Sequence, residues 1–329
     1  MDKMMFHQNA LFLALLLGLS CIISSKQTEV NCPEQPHSED SCPSSNTPKP
    51  LPLAYTCMSI TYNGKTDDRA PIVVVHGFTI FKEMYIDIAK YLALKTARKV
   101  CAVDLRNHGD SPWSDETDSK AMASDLALFM KTIDADKLVV VGHSMGGKVA
   151  SDFALTYPDK VEKIVVEDMR PNGMSEEAQQ IFDPNQDWPE FLRKPLLDGL
   201  TEYEAKEYIV NYYRKIFEQM NETLRYDDNF NEFIPIKCSE GKCSYKSNIN
   251  VLRKIFADPL KFWKDSSGKC EKPALFIHGE LSPFKVADVK EEIEELFPEA
   301  KLFEVKGRGH ILNPHIEYRK EVVDFINAK

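Results

Sequence analysis

Ser144 stands in Gly142-His-Ser-Met-Gly146, after the apolar run Leu138–Val141 and before Gly147-Lys-Val-Ala-Ser-Asp-Phe-Ala-Leu155. A serine between two glycines is a weak signal alone. A strand before it and a helix after it make a sharp elbow that exposes the hydroxyl, with the glycines removing side chains that would collide. The N-terminus of the following helix then favours negative charge beside the serine. The bland alternative is a serine that merely caps that helix.

A serine hydroxyl needs a base. The chain has eight histidines. His310, in Gly307-Arg-Gly-His310, lies between the last strand-like run and the last helical stretch, where a loop can swing an imidazole over the elbow. His315 is the runner-up, within the following helix. The remaining six (His7, His37, His76, His108, His143 and His278) read as structural or as lying outside the main domain. The base in turn needs a buried carboxylate to orient it. The loop after Ala274–Ile277 reads Gly279-Glu-Leu-Ser282 and offers no acid at position 282. Asp168, at the end of Val161–Glu167, faces the same edge and is the expected acid, with Glu280 and Asp288 as lesser candidates. Its bland role is a turn or helix cap. Two backbone N–H groups should hold an oxyanion: Met145 after the nucleophile, and Phe78 in the loop His76-Gly77-Phe78. This set suits attack on an acyl carbonyl, and no metal is expected among its residues.

The elements that must position these residues follow from periodicity. Ile72–Val75, Val100–Val103, Leu138–Val141, Val161–Glu167, Ala274–Ile277 and Leu302–Val305 are short apolar runs without alternation. Helical patterns separate them, including Lys82–Lys95 and Lys120–Ile133. Strands of this kind form a parallel sheet buried on both faces, so the fold class is α/β. Residues 172–268 break the pattern with mostly helical signal and read as a cap inserted between two sheet strands. Ile209, Tyr213, Ile216, Phe217 and Met220 share one helix face there. The main domain is expected at 54–171 and 269–329, with a Pro-rich linker over 26–53.

The 329 residues carry a formal charge of −10, which argues against a nucleic-acid partner. The N-terminus reads as a secretory signal over 1–25: Lys3, then a mostly apolar Leu11–Ile23, then Ser24 and Ser25, with Ser20 as the competing small residue before the cut. The run is short for a membrane span, and none is expected after cleavage. A secreted or ER-lumenal protein is therefore expected, and Asn221-Glu-Thr would be a glycosylation site. Cys101 reads as a buried free thiol. Cys32, Cys42, Cys57, Cys238, Cys243 and Cys270 could form three bridges, for which 15 pairings exist. Cys238 and Cys243 flank a tight turn and are the favoured pair.

Five segments in order carry a family resemblance: Val75-His-Gly-Phe78, Asp104-Leu-Arg-Asn-His-Gly-Asp-Ser-Pro112, Val141-Gly-His-Ser-Met-Gly-Gly-Lys148, Glu167-Asp-Met-Arg-Pro171 and Gly309-His310. Over residues 53–329 the chain resembles the α/β-hydrolase domain-containing protein eleven group and its bacterial esterase relatives. The resemblance implies the α/β-hydrolase fold and hydrolysis of esters, with lipid esters such as diacylglycerols as substrates and no cofactor. It implies an acid after the strand that follows the nucleophile helix, which is Asp168, and a supporting role for Arg106-Asn107-His108. The animal members are typically mitochondrial, which sets a family-based alternative against the signal. The expected function is a serine esterase or lipase acting on a small acyl ester through Ser144, Asp168 and His310. A catalytically silent binding protein on the same fold, and a thioesterase or acyltransferase, are the competing readings.

Overall fold

The computed structural model describes residues 19–26, 49–62, 67–181, 199–219, 234–240, 242–258, 263 and 265–328. The runs Ile72–Val75 (β3) and Val100–Val103 (β4) form strands whose residues are all buried. Leu138–His143 (β5) and Ala274–Gly279 (β9) extend two residues past their apolar cores. Val161–Glu167 (β6) and Ala300–Val305 (β10) complete six parallel strands in the order β4-β3-β5-β6-β9-β10. Strand alternation divides the side chains between two cores. Val73, Val75 and Val140 pack with helices Ser119–Thr132 (α2) and Met145–Thr156 (α3). Ile72, Val74, Val139 and Val141 pack with Ile86–Thr96 (α1) and Ile316–Asn327 (α8) on the opposite face.

Two antiparallel strands extend the β4 edge. Tyr55–Tyr62 (β2) pairs with β4, and Leu19–Lys26 (β1) pairs with β2. β1 overlaps the expected signal, and the backbone of this stretch forms the outer strand of the sheet. Packing of the main domain also starts before residue 54. Leu53 is buried in the core, the Leu51 N–H donates to Asp125 (2.6 Å), and Arg106 donates to the Lys49 carbonyl (3.1 Å). The rest of the expected linker, 27–48, lies outside the described residues, as does the Asn221 sequon.

The β2–β4 pairing corrects one cysteine assignment. Cys101 is not a free thiol. It is bonded to Cys57, its direct partner in the antiparallel register, with Cα atoms 4.0 Å apart. Cys238 and Cys243 are bonded as expected, and Cys270 is a buried free thiol rather than a bridge partner. Cys32 and Cys42 lie outside the described residues.

Between β6 and β9 the chain runs through Glu176–Ile181 (α4), Glu202–Gln219 (α5), the hairpin Ile236–Ser239 (β7) and Lys242–Tyr245 (β8), and Ile249–Ala257 (α6). Ile209 and Tyr213 of the expected apolar stripe are buried against the main core. The side chains of Ile216 and Phe217, which lie in α5, and all of Met220 fall outside what the structure describes. Asn107 ties this insertion down: its carbonyl accepts from Asn248 N (2.9 Å) and its Oδ1 from Asn248 Nδ2 (3.2 Å) at the start of α6. Lys290–Leu296 (α7) follows β9, and no helix among the described residues is long and apolar enough to cross a membrane.

Candidate active site

β5 delivers Ser144 and α3 starts at the next residue. Ser144 has φ 53° and ψ −119°, a left-handed backbone that a serine adopts only when its surroundings impose it. The elbow is imposed by close packing. A Cβ on Gly146 would strike the Val75 and His76 carbonyls, and one on Gly142 would strike the backbone at Gly146. The Ser144 N–H is held by the Glu167 carbonyl of β6 (2.9 Å). Met145 opens α3, where a first-turn N–H has no acceptor within its own helix. The loop after β3 closes from the other side: a Cβ on Gly77 would lie 3.3 Å from Ser144 Cβ and 2.9 Å from His143 Nδ1. Phe78 follows in that loop, with its ring edge-on to His108 at 6.1 Å. Arg106, beside His108, is pinned by a two-point ion pair to Asp125 (2.7 and 2.6 Å).

His310 and Asp168 meet. The His310 Nδ1–H donates to Asp168 Oδ2 at 2.6 Å, with both side chains buried. A carboxylate only accepts, so this contact fixes the tautomer and leaves Nε2 for other chemistry. The same Asp168 oxygen accepts from the Ser282 hydroxyl, and Oδ1 accepts from Gly279 N (3.0 Å). Asp168 also has a left-handed φ of 52°, which turns its side chain off the strand end. The imidazole of His310 lies between two rings, stacked on Phe284 (4.2 Å) and tilted against His143 (4.7 Å). Arg170 holds the Phe284 and Lys285 carbonyls (2.7 and 2.8 Å), fixing that stacking face.

Burial dominates the electrostatics. It pushes the Asp168 carboxyl up to about 7, opposed first by the Ser282 hydroxyl and then by the Gly279 amide. It pulls His310 below its ordinary value, so the imidazole rests neutral. His76 and His143 are lowered to about 4 and His108 to about 3, also by burial, so these rings are neutral hydrogen-bonding groups. His76 accepts from Leu105 N (3.0 Å), and His143 bridges Tyr85 (2.7 Å) to the His310 carbonyl (3.3 Å).

The other acid candidates stand apart from His310. Glu280 is partly exposed and accepts from Gly307 N (2.8 Å), while Asp288 is 69% exposed and lies 3.8 Å from Arg170. His315 is the N-cap residue of α8 rather than a residue within it. Sequence reasoning missed the grip of Glu167 on the base loop, the ring pair around His310 and the Ser282 donor. Only Ser282 had been marked in the sequence, as a place without an acid.

A strand–elbow–helix serine, a histidine from the loop after the last strand and a carboxylate after β6 define a hydrolase-type site on a mostly parallel sheet. Residues 70–314 match the family model described as alpha/beta hydrolase fold, and the chain belongs to that family, in the ABHD11 group. It is 30% identical over 285 residues to the sn-1-specific diacylglycerol lipase ABHD11 of Danio rerio, covering 87% of this chain and 83% of the relative. It is 27% identical over 310 residues to ethanol acetyltransferase 1 of Eremothecium cymbalariae, covering 85% and 84%. Among solved structures it is similar to a marine microorganism esterase, with a TM-score of 0.62 and 27% identity over 84% of this chain and 99% of that one.

Proposed function

We propose that this chain is a serine-dependent carboxylic ester hydrolase acting on acyl lipids, with diacylglycerol as the representative substrate. The observation that carries the reading is the buried 2.6 Å contact of His310 with Asp168 beside a serine held at φ 53°. His310 Nε2 takes the Ser144 proton as Oγ attacks the ester carbonyl carbon. The N–H groups of Phe78 and Met145 hold the resulting oxyanion. Collapse expels the alcohol, which receives its proton from His310. Water, deprotonated by the same nitrogen, then releases the acid and restores Ser144. Asp168 stays ionised and stabilises the imidazolium formed in each half. The ABHD11 relatives support the lipid substrate, and the insertion between β6 and β9 is the part of the chain suited to cover an acyl chain.

Secretion or residence in the ER lumen is part of the proposal. It rests on the apolar N-terminus and on two disulfides in the main and inserted parts. The acetyltransferase relative favours a second reading of the same intermediate, in which an alcohol replaces water as acyl acceptor.

The test is an acyl-chain-length series of esters, diacylglycerol included, on wild type and Ser144→Ala, with added ethanol in parallel. Hydrolysis abolished in the variant, together with fluorophosphonate labelling of Ser144 in the folded wild type, is the expected result. Activity retained by Ser144→Ala would overturn the mechanism. Ester formation outrunning hydrolysis would move the reading to acyl transfer.

A further inference from the structure

β6 ends at Glu167 and Asp168 follows it directly, and both acids are buried. Neighbouring residues of a strand point to opposite faces. Here the left-handed φ of 52° at Asp168 breaks that alternation, and both carboxylates act on one loop. Asp168 meets the His310 ring, while Glu167 Oε1 accepts from Leu312 N (2.8 Å), Asn313 N (2.8 Å) and Asn313 Nδ2 (3.4 Å). The main chain of Glu167 also serves the nucleophile, since its carbonyl accepts from Ser144 N at 2.9 Å.

A carboxylate this deep is costly unless donors surround it. Glu167 is raised above its ordinary value by burial, opposed by His143, the Leu312 amide, Tyr318 and the Asn313 amide. An apolar residue would fill the same volume without that cost, as Ile164, Val165 and Val166 do earlier in the strand. What the carboxylate adds is a two-amide grip directly beyond His310. From the other side, His143 Nε2–H donates to the His310 carbonyl (3.3 Å) while its Nδ1 accepts from the Tyr85 hydroxyl (2.7 Å). The base loop is thus held at residue 310 from β5 and at residues 312 and 313 from β6.

We propose that Glu167 is a positioning residue for the reaction: its carboxylate, clamped on the Leu312 and Asn313 amides, fixes the His310 imidazole between Ser144 and Asp168. This rests on the reading of His310 as the base. A displacement of about 1 Å at a reacting group costs roughly 100-fold in rate. Loss of the grip therefore lowers turnover and leaves substrate affinity alone.

The experiment measures kcat, KM and the rate of Ser144 phosphonylation by a fluorophosphonate on a short-chain ester hydrolase assay, with thermal melts for every variant. Glu167→Leu fills the site without an acceptor, and Glu167→Asp keeps the charge but withdraws it by one methylene. Both should lower kcat and phosphonylation together, by about 100-fold and about tenfold, with KM within about twofold. Glu167→Gln, which keeps an acceptor oxygen at the same reach, should recover most of the loss. Phe325→Ala in α8, a buried core truncation away from His310, serves as the destabilised comparator and should leave kcat unchanged. A folded Glu167→Leu or Glu167→Asp with near-wild-type kcat, a Glu167→Gln no better than Glu167→Leu, or failure of both Glu167→Leu and Glu167→Asp to fold would overturn the proposal. Ser144→Ala and His310→Ala run alongside: activity surviving there would sink the underlying mechanism, whatever Glu167 does.

Discussion

The Ser282 hydroxyl donates to Oδ2 of Asp168, the same oxygen that receives the His310 Nδ1 proton. The loop after β9 thus supports the acid of the neighbouring strand instead of supplying one. Its hydroxyl lowers the Asp168 pKa against the dominant upward push of burial. A carboxyl raised to about 7 is ionised above that pH and is protonated, losing its hold on the imidazolium, as pH falls through it. The acid limb of kcat/KM should therefore lie near neutrality. Ser282→Ala removes a donor to the ionised form and should move the limb to higher pH. A pH–rate profile of both proteins checks this, and coincident acid limbs would refute it.

Asp168→Asn keeps the shape of the site but cannot stabilise a charged imidazole, and it can present an N–H to His310 in place of an acceptor. Turnover should fall by roughly 10⁴, the scale set by the equivalent change in a serine protease triad. Glu280→Gln and Asp288→Asn alter partly exposed groups remote from that contact and should stay within about twofold of wild type. Steady-state kinetics of the three variants rank the candidate acids directly. Equal losses in all three would remove Asp168 from the site.

The central strands β3, β4, β5 and β9 were legible because every residue in them is buried, so their cores are written as unbroken apolar runs. β2 was not, because Tyr55–Tyr62 pairs antiparallel on both sides and mixes Thr and Ser with apolar residues. Missing β2 led directly to the wrong state for Cys101, since nothing near it in sequence announces Cys57. Ser144 was legible because glycines and a strand–helix junction enforce its geometry locally. Asp168 was legible from three signs together: the missing acid at Ser282, its place just past the Val161–Glu167 strand, and the family resemblance. The work of Glu167 was not legible at all. It depends on a left-handed turn at Asp168 and on a loop 145 residues away in sequence.

Peptide mapping without reduction should recover Cys57 linked to Cys101 and Cys238 linked to Cys243, with Cys270 alkylated only after denaturation. The two bridges should differ in worth. Closing a loop with a sequence separation of 44 restricts the unfolded chain by about 4 kcal/mol, against about 2 kcal/mol for a separation of 5. Cys57→Ser/Cys101→Ser should therefore lower the unfolding free energy more than Cys238→Ser/Cys243→Ser, by denaturant titration. The opposite order would mean that the hairpin bridge anchors more than its own turn.

Tyr213 joins the inserted helix α5 to the loop that carries Phe78. Its hydroxyl donates to the Thr79 carbonyl at 2.7 Å, and Thr79 has a left-handed φ of 62°. Burial pushes the phenol well above its ordinary value, so it remains a donor at every working pH. Tyr213→Phe keeps the packed ring and leaves the Thr79 carbonyl without this donor, a cost of about 1–3 kcal/mol. Thr79 can then relax from its strained backbone and shift the adjacent Phe78 amide, the proposed oxyanion donor. The expected result is a kcat about tenfold lower, short of the loss when an oxyanion donor is removed outright. Stopped-flow acylation with a chromogenic ester measures the step concerned. An unchanged acylation rate in a destabilised Tyr213→Phe would show that the contact holds the insertion in place without tuning the oxyanion loop.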